Sequence, residues 1–233
     1  MLKRNQICTN TAEFAESRAV TFLNPYSFLR IWESNVDLSR FDKICIDGIA
    51  LKTFLELVFF RSGKIERLSF DFTSVAHVVF EQAAAGQEHG FVLGSDEVSN
   101  SKFCNKISSM FPGIALGGRS GYFDSKEAIS DYLETLANGE YDFIVIGMGA
   151  VKQEEVAIAL MDAGYKGRVY TCGGFIHQTA MSDGEYYPWW VDKFNLRFAY
   201  RMIKEPSTVR RYLIDYPRAF ALLTRNIRKF KYS

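Results

Sequence analysis

The chain has 233 residues, 48% of them hydrophobic and 24% charged, a composition that excludes a disordered protein. No apolar stretch approaches the roughly 20 residues needed to span a bilayer, and the start, MLKRNQICTNTAEFAES, has no apolar core of the kind a secretory signal requires. The net charge of +1 hides a division: residues 197–233 hold ten Lys or Arg and two acids, a balance of +8, and the remainder is −7.

In chain order, β-rich runs occur at AVTFLN (19–24), KICID (43–47), GFVLG (90–94), GIALGG (113–118), DFIVIGMG (142–149) and RVYTCGG (168–174). Helical patterns fall between them. IALKTFLELVFF (49–60) is apolar almost throughout, and SVAHVVFEQAAAG (74–86) ends on a glycine suited to a C-cap. SKEAISDYLETLANG (125–139) and QEEVAIALMDAG (153–164) place apolar residues at i, i+3 and i+4. Continuous apolar strands alternating with helices belong in a parallel sheet covered on both faces. The expectation is therefore an α/β fold, a Rossmann-like parallel sheet sandwiched by helices over residues 1–195, with a basic helical appendage over 196–233. Cys8, Cys45, Cys104 and Cys172 are widely spaced in apolar segments and read as buried free thiols of a reducing cytoplasm.

In open α/β sheets, ligands bind at the carboxyl ends of the strands. Asn24, Asp47, Gly94, Gly117–Gly118, Gly147–Gly149 and Gly173–Gly174 fall at those ends. Asp47 is either the N-cap of the next helix or a catalytic or binding carboxylate. Asn24 has the same two readings, and Gln153 is either a ligand contact or a solvent-facing residue of a first helical turn. Other chemistries are disfavoured. GMGAVK begins like a dinucleotide fingerprint, but Lys152 stands where the third glycine belongs and no ribose-binding acid follows. There is no GxxxxGK[ST], HExxH, GxSxG or Asp-x-Asp, and His77, His89 and His177 are scattered.

Several motifs in order carry a family resemblance. TFLNP supplies Thr21, Asn24 and Pro25, and Asp47–Gly48 follows the next strand. ERLSFD gives Arg67 and Asp71, and GGRSGYF gives Gly121, Tyr122 and Phe123. GMGAVKQE keeps Gly147, Gly149, Gln153 and Glu154, and Gly173–Gly174 come next. PWW, AYRM and EPSTVRRY supply Pro188, Trp189, Tyr200, Arg201, Pro206, Arg210 and Arg211. Over residues 18–212 this set resembles the WecG/TagA/CpsF family of bacterial glycosyltransferases. The chain departs from the family pattern at Val151, where proline is usual, and at His177, Tyr186, Arg197 and Thr208.

The resemblance implies transfer of a sugar from a UDP-sugar donor to a polyprenyl-diphosphate-linked glycan acceptor, at the cytoplasmic face of the plasma membrane. Asp47 would be the base. Thr21 and Asn24 would orient sugar hydroxyls, Arg67 would meet a phosphate, and Gly147, Gly149, Gln153, Gly173 and Gly174 would meet the nucleotide sugar. With no Asp-x-Asp, neither metal nor cofactor is demanded, and Arg210 and Arg211 would neutralise the leaving diphosphate.

In the tail, Tyr212, Tyr216, Phe220, Leu223, Ile227 and Phe230 recur at three- and four-residue steps, and Pro217 must kink or divide the helix. Such a basic amphipathic stretch suits an anionic membrane surface, or packs its stripe on the body, and its apolar surface allows self-association. The competing reading is a nucleotide- or RNA-binding regulatory module with a basic arm, which predicts salt-sensitive binding. The one-sided aromatic stripe favours the membrane over nucleic acid.

Overall fold

The computed structural model describes residues 4–59, 65–182, 191, 200, 202–203 and 208–226. Among them, six strands form one sheet: β1 (Ala19–Leu23), β2 (Lys43–Ile46), β3 (His89–Gly94), β4 (Ala115–Arg119), β5 (Phe143–Gly147) and β6 (Arg168–Thr171). Their order is β2-β1-β6-β5-β3-β4, and every pairing is parallel. Helices α1 (Thr11–Ala15), α2 (Pro25–Ser34), α3 (Ile49–Phe59), α4 (Val75–Ala85), α5 (Glu97–Met110), α6 (Lys126–Ala137), α7 (Lys152–Asp162) and α8 (Phe175–Met181) accompany it. A helical turn at Thr208–Arg210 leads through a π-helical turn, Arg211–Asp215, into α9 (Tyr216–Arg225).

The apolar runs are continuous because alternate residues serve two cores. Ile44, Ile46, Leu93, Ile144 and Ile146 face one side, with side chains of α2, α3, α6 and α7. Val20, Cys45, Val92, Val145 and Tyr170 face the other, with α1, α4, α5 and α8. Strand period and double burial together give the pattern that the sequence displays. All four cysteines are free and buried.

Helices α5 and α8 lie outside the periodic segments. On α5, Ser99 and Asn100 are buried beside Phe103, Cys104 and Ile107. The Asn100 amide donates to Val92 O at 3.1 Å, Gly94 O at 2.9 Å and Arg119 O at 2.9 Å. A satisfied polar group on the inward face hides the apolar period.

The chain leaves β1 for β2, and β5 for β6, on one face of the sheet; it leaves β3 for β4 on the other. The connections diverge between β5 and β3, which opens a crevice at their carboxyl ends. Gly94 closes β3 there at φ 154°, and a Cβ on it would lie 2.3 Å from Gly147 O.

The outer edge of β2 is covered by other chain. Ile7 bridges Ile44, Cys8 N donates to Ile44 O at 3.0 Å, and Leu68 N donates to Ile46 O at 3.1 Å. The described part of the tail packs on the body. Ala219 and Leu223 are buried, the Phe220 ring lies 5.3 Å from Phe54, and Arg218 pairs with Glu33 at 3.0 Å. Pro217 sits in the first turn of α9, directly after the π-helical turn, and the backbone at Asp215 and Tyr216 stays right-handed helical across the junction, so the stretch is not divided there.

Gly94→Ala combines a forbidden φ with a backbone collision. It is expected to cost about 1–3 kcal/mol, and a thermal melt should drop by roughly 2–4 °C for each kcal/mol lost.

Candidate active site

One cleft of about 1540 Å³ runs along the carboxyl rim of the sheet. Leu23 pairs in register with Ile46, so the next residues, Asn24 and Asp47, end adjacent strands side by side. Both line the cleft, and Asp47 is half-buried. Its backbone N–H donates to Leu23 O at 2.8 Å. Helix α3 begins at Ile49, and Gly48 O accepts the first helical bond from Lys52 N at 3.2 Å. The N-cap position is thus Gly48, and Asp47 stands one residue outside the helix. Asn24 does cap: its Oδ1 accepts from Ser27 N at 3.0 Å, while Ser27 Oγ accepts from Asn24 N at 2.9 Å.

Gly147, Gly149, Gly173 and Gly174 line the middle of the cleft. Gly149 and Gly173 have φ of +81° and +57°, and a Cβ on either would meet nothing within 4 Å. Glycine is required there by the backbone turn, and the space beside it is open to a ligand.

Behind these loops lies a buried polar chain. Glu154 is 0% exposed. Its Oε1 accepts from the Thr21 hydroxyl at 3.0 Å and from Gln153 Nε2 at 2.8 Å, and its Oε2 accepts from Val151 N at 2.8 Å. Burial raises the Glu154 carboxyl above its ordinary value, against the pull of those donors. Gln153 Oε1 in turn accepts from Gly173 N at 3.0 Å. The Thr21 and Thr171 hydroxyls lie 2.9 Å apart, and Phe22 N donates to Thr171 Oγ1 at 3.3 Å. Because Thr21 gives its single hydroxyl proton to Glu154, the Thr171 hydroxyl is the donor to Thr21.

Val151, at the start of α7, has φ 79° and ψ −60°, the rare γ-turn region. A β-branched residue there is a genuine outlier, strained by about 1–3 kcal/mol.

The far walls carry charge. Arg67 Nη2 donates to Ser69 Oγ at 3.0 Å and lies 3.9 Å from Asp71, and Ser69 Oγ donates to Asp71 Oδ2 at 2.8 Å. Glu66 is occupied elsewhere, by Thr11 N and the Thr11 hydroxyl, both at 3.0 Å. Asp96 caps α5; the Ser99 hydroxyl at 2.7 Å and the Ser99 N–H at 2.9 Å hold its carboxyl at about 2. His177 approaches the same pair, with Nδ1 3.2 Å from Ser99 Oγ and 3.9 Å from Asp96. From the tail, the Arg211 guanidinium lies 4.2 Å from the centre of the Tyr26 ring, and both residues line the cleft with Met202.

The expected residues therefore divide. Asn24, Asp47, Arg67, Gly147, Gly149, Gln153, Gly173, Gly174 and Arg211 meet at one cleft. Thr21 does not: it is 0% exposed and its hydroxyl is engaged within the core. Gln153 reaches the cleft wall but is 3% exposed, and both ends of its amide are used internally. Arg210 is exposed and lies off the cleft walls. Tyr186, Pro188, Trp189, Arg197, Arg201, Pro206, Ile227 and Phe230 lie outside the described residues. Lys52, Lys106 and Tyr26 line the cleft without having been singled out. Lys52 follows Asp47 by five residues, one turn into α3, which is the spacing that could have found it.

A sequence model described as the glycosyl transferase WecG/TagA/CpsF family matches residues 1–232. A relative from Shigella boydii is 36% identical over 201 residues, covering 85% of this chain and 82% of the relative. It is named as a UDP-Gal:alpha-D-GlcNAc-diphosphoundecaprenol beta-1,4-galactosyltransferase.

The Asp96 carboxyl lies below its ordinary value, so it stabilises the fold at neutral pH and loses that contribution as pH falls toward 2. Asp96→Asn keeps a good cap. Calorimetric melts from about pH 4 to about pH 2 should therefore fall less steeply for the variant than for the wild type.

Proposed function

The chain belongs to the WecG/TagA/CpsF family of glycosyl transferases, and we propose that it moves a hexose from a UDP-sugar to a polyprenyl-diphosphate-linked glycan during cell-surface polysaccharide assembly. The observation that carries this reading is a half-buried carboxylate, Asp47, sharing one cleft of about 1540 Å³ with the Arg211 guanidinium. A pocket for one small ligand holds about 300–1,000 Å³, so this cleft has room for donor and acceptor together. The Shigella relative is named for such a pair, UDP-Gal and a diphosphoundecaprenol-linked sugar.

In this reading Asp47 takes the proton of the acceptor hydroxyl as its oxygen attacks the anomeric carbon of the donor. The bond from that carbon to the UDP oxygen breaks, and UDP leaves with the electron pair. Arg211 and Arg67 compensate the charge that develops on the diphosphate. The glycines at 147, 149, 173 and 174 let the backbone approach the diphosphate, and Asn24 orients a sugar. Thr21 and Gln153 act from behind the rim, Gln153 through the Gly173 amide that it holds. A regulatory nucleic-acid module would need no carboxylate at Asp47, and membership of a transferase family weighs against it.

A lipid-linked acceptor must be met at a membrane. No helix among the described residues is long and apolar enough to cross one, and we take the protein to work peripherally at the cytoplasmic face. Ile203 and Leu213 are exposed by 79% and 67% on the tail, and Leu57 by 72% on α3, the helix that touches α9 through Phe54. With Arg210 and Arg225 nearby in the chain, these residues suit an anionic interface.

Two outcomes are expected. Incubated with UDP-sugars and a lipid-diphosphate acceptor, Asp47→Asn should release UDP at least about 100-fold more slowly than wild type while still binding UDP; equal rates would remove Asp47 from the chemistry. On vesicles, binding should require anionic lipid, weaken with salt, and fall for Leu213→Glu. Binding equally to neutral vesicles would defeat the electrostatic part of the docking.

A further inference from the structure

Within that donor reading, on which the following rests, one buried group has no role yet. We propose that Glu154 is a positioning residue for the donor diphosphate: its carboxyl clamps Val151 in its positive-φ γ-turn and so fixes the Gly147–Val151 loop along the cleft.

The loop lines the cleft at Gly147, Gly149 and Ala150. It ends at Val151, whose φ of 79° a β-branched side chain resists. Left alone, such a residue relaxes toward negative φ and swings the preceding glycines with it. The opposing contact is the Val151 N–H to Glu154 Oε2, at 2.8 Å. The other oxygen is held by Thr21 of β1 and by Gln153, itself bonded to Gly173 N. One carboxyl therefore ties the β5 loop to β1 and to the β6 loop, setting the two glycine loops against each other.

Glu154→Gln is nearly isosteric but replaces an acceptor oxygen by an amide NH₂, setting a donor against a donor at Val151 N, Thr21 or Gln153. Titration calorimetry with UDP on the full chain, beside thermal melts, tests the proposal. We expect Glu154→Gln to bind UDP about ten-fold or more weakly, the scale of one lost buried hydrogen bond. Adding Val151→Gly, which removes the Cβ penalty at positive φ, should recover part of that affinity. A purely architectural Glu154 would lower the melting temperature yet leave the UDP affinity of the folded protein unchanged, and that result would overturn the proposal. So would a double variant with no recovery. If Glu154→Gln does not fold, Glu154→Asp keeps a carboxylate but is one methylene too short to hold Val151 N, Thr21 and Gln153 together, and wild-type UDP affinity in that variant is equally fatal. A wild type that binds no UDP would instead bring down the donor reading and this inference with it.

Discussion

Both faces of the sheet are buried beneath helices, so the strand ends are where several elements can converge on solvent. This constraint orders the rest of the molecule. Neighbouring strands are spaced by about 4.8 Å, and their order brings residues far apart in the chain into one line. Asp47, Asn24, Gly173, Gly147 and Ser95 stand at the carboxyl ends of β2, β1, β6, β5 and β3 in that spatial order. A substrate laid along the rim meets a carboxylate first, then glycine loops, then the mouth of the β5–β3 crevice.

A rim built from loops is also where backbone conformation is least fixed by the sheet ladder. The buried chain from Phe22 N through Thr171, Thr21, Glu154 and Gln153 to Gly173 N supplies the fixing from beneath. Each side chain in it is almost wholly buried, and an unmade bond there is more damaging than one at the surface. The cations differ in how they are held. Arg67 is steered by Ser69 and Asp71 of its own segment, whereas Arg211 arrives from the tail and rests on the Tyr26 ring. The cleft is thus complete only where the tail folds back over α2, an arrangement secured by apolar packing of Ala219 and Leu223.

Much of this was legible in the chain. Strand identity followed from apolar runs of the right length, and Asp47, Gly94, Gly147 and Gly173 could be assigned to strand ends because parallel topology forces the chain to turn there, whereas Gly117 and Gly118, read the same way, pair within β4. Asn24 and Arg211 were legible as residue types in position, and the motifs from Asp47–Gly48 to the paired arginines pointed to a glycosyltransferase family before any coordinates. Helix α5 was not legible, since a buried, satisfied Asn100 breaks its apolar period.

The sequence by itself determined the strands, the parallel sandwich and the family, because these depend on local periodicity and on motif order, both of which are properties of one dimension. Only the tertiary structure decided which candidates face the cleft. Thr21 and Gln153 look from the sequence like ligand contacts, yet partners 133 and 20 residues away have taken their hydrogen-bonding groups. Arg210 and Arg211 are neighbours in the chain, but successive residues of a helix point about 100° apart, and Arg211 is the one that meets Tyr26. Which atoms remain for a substrate is settled by pairings across strands, and no spacing along the chain records them.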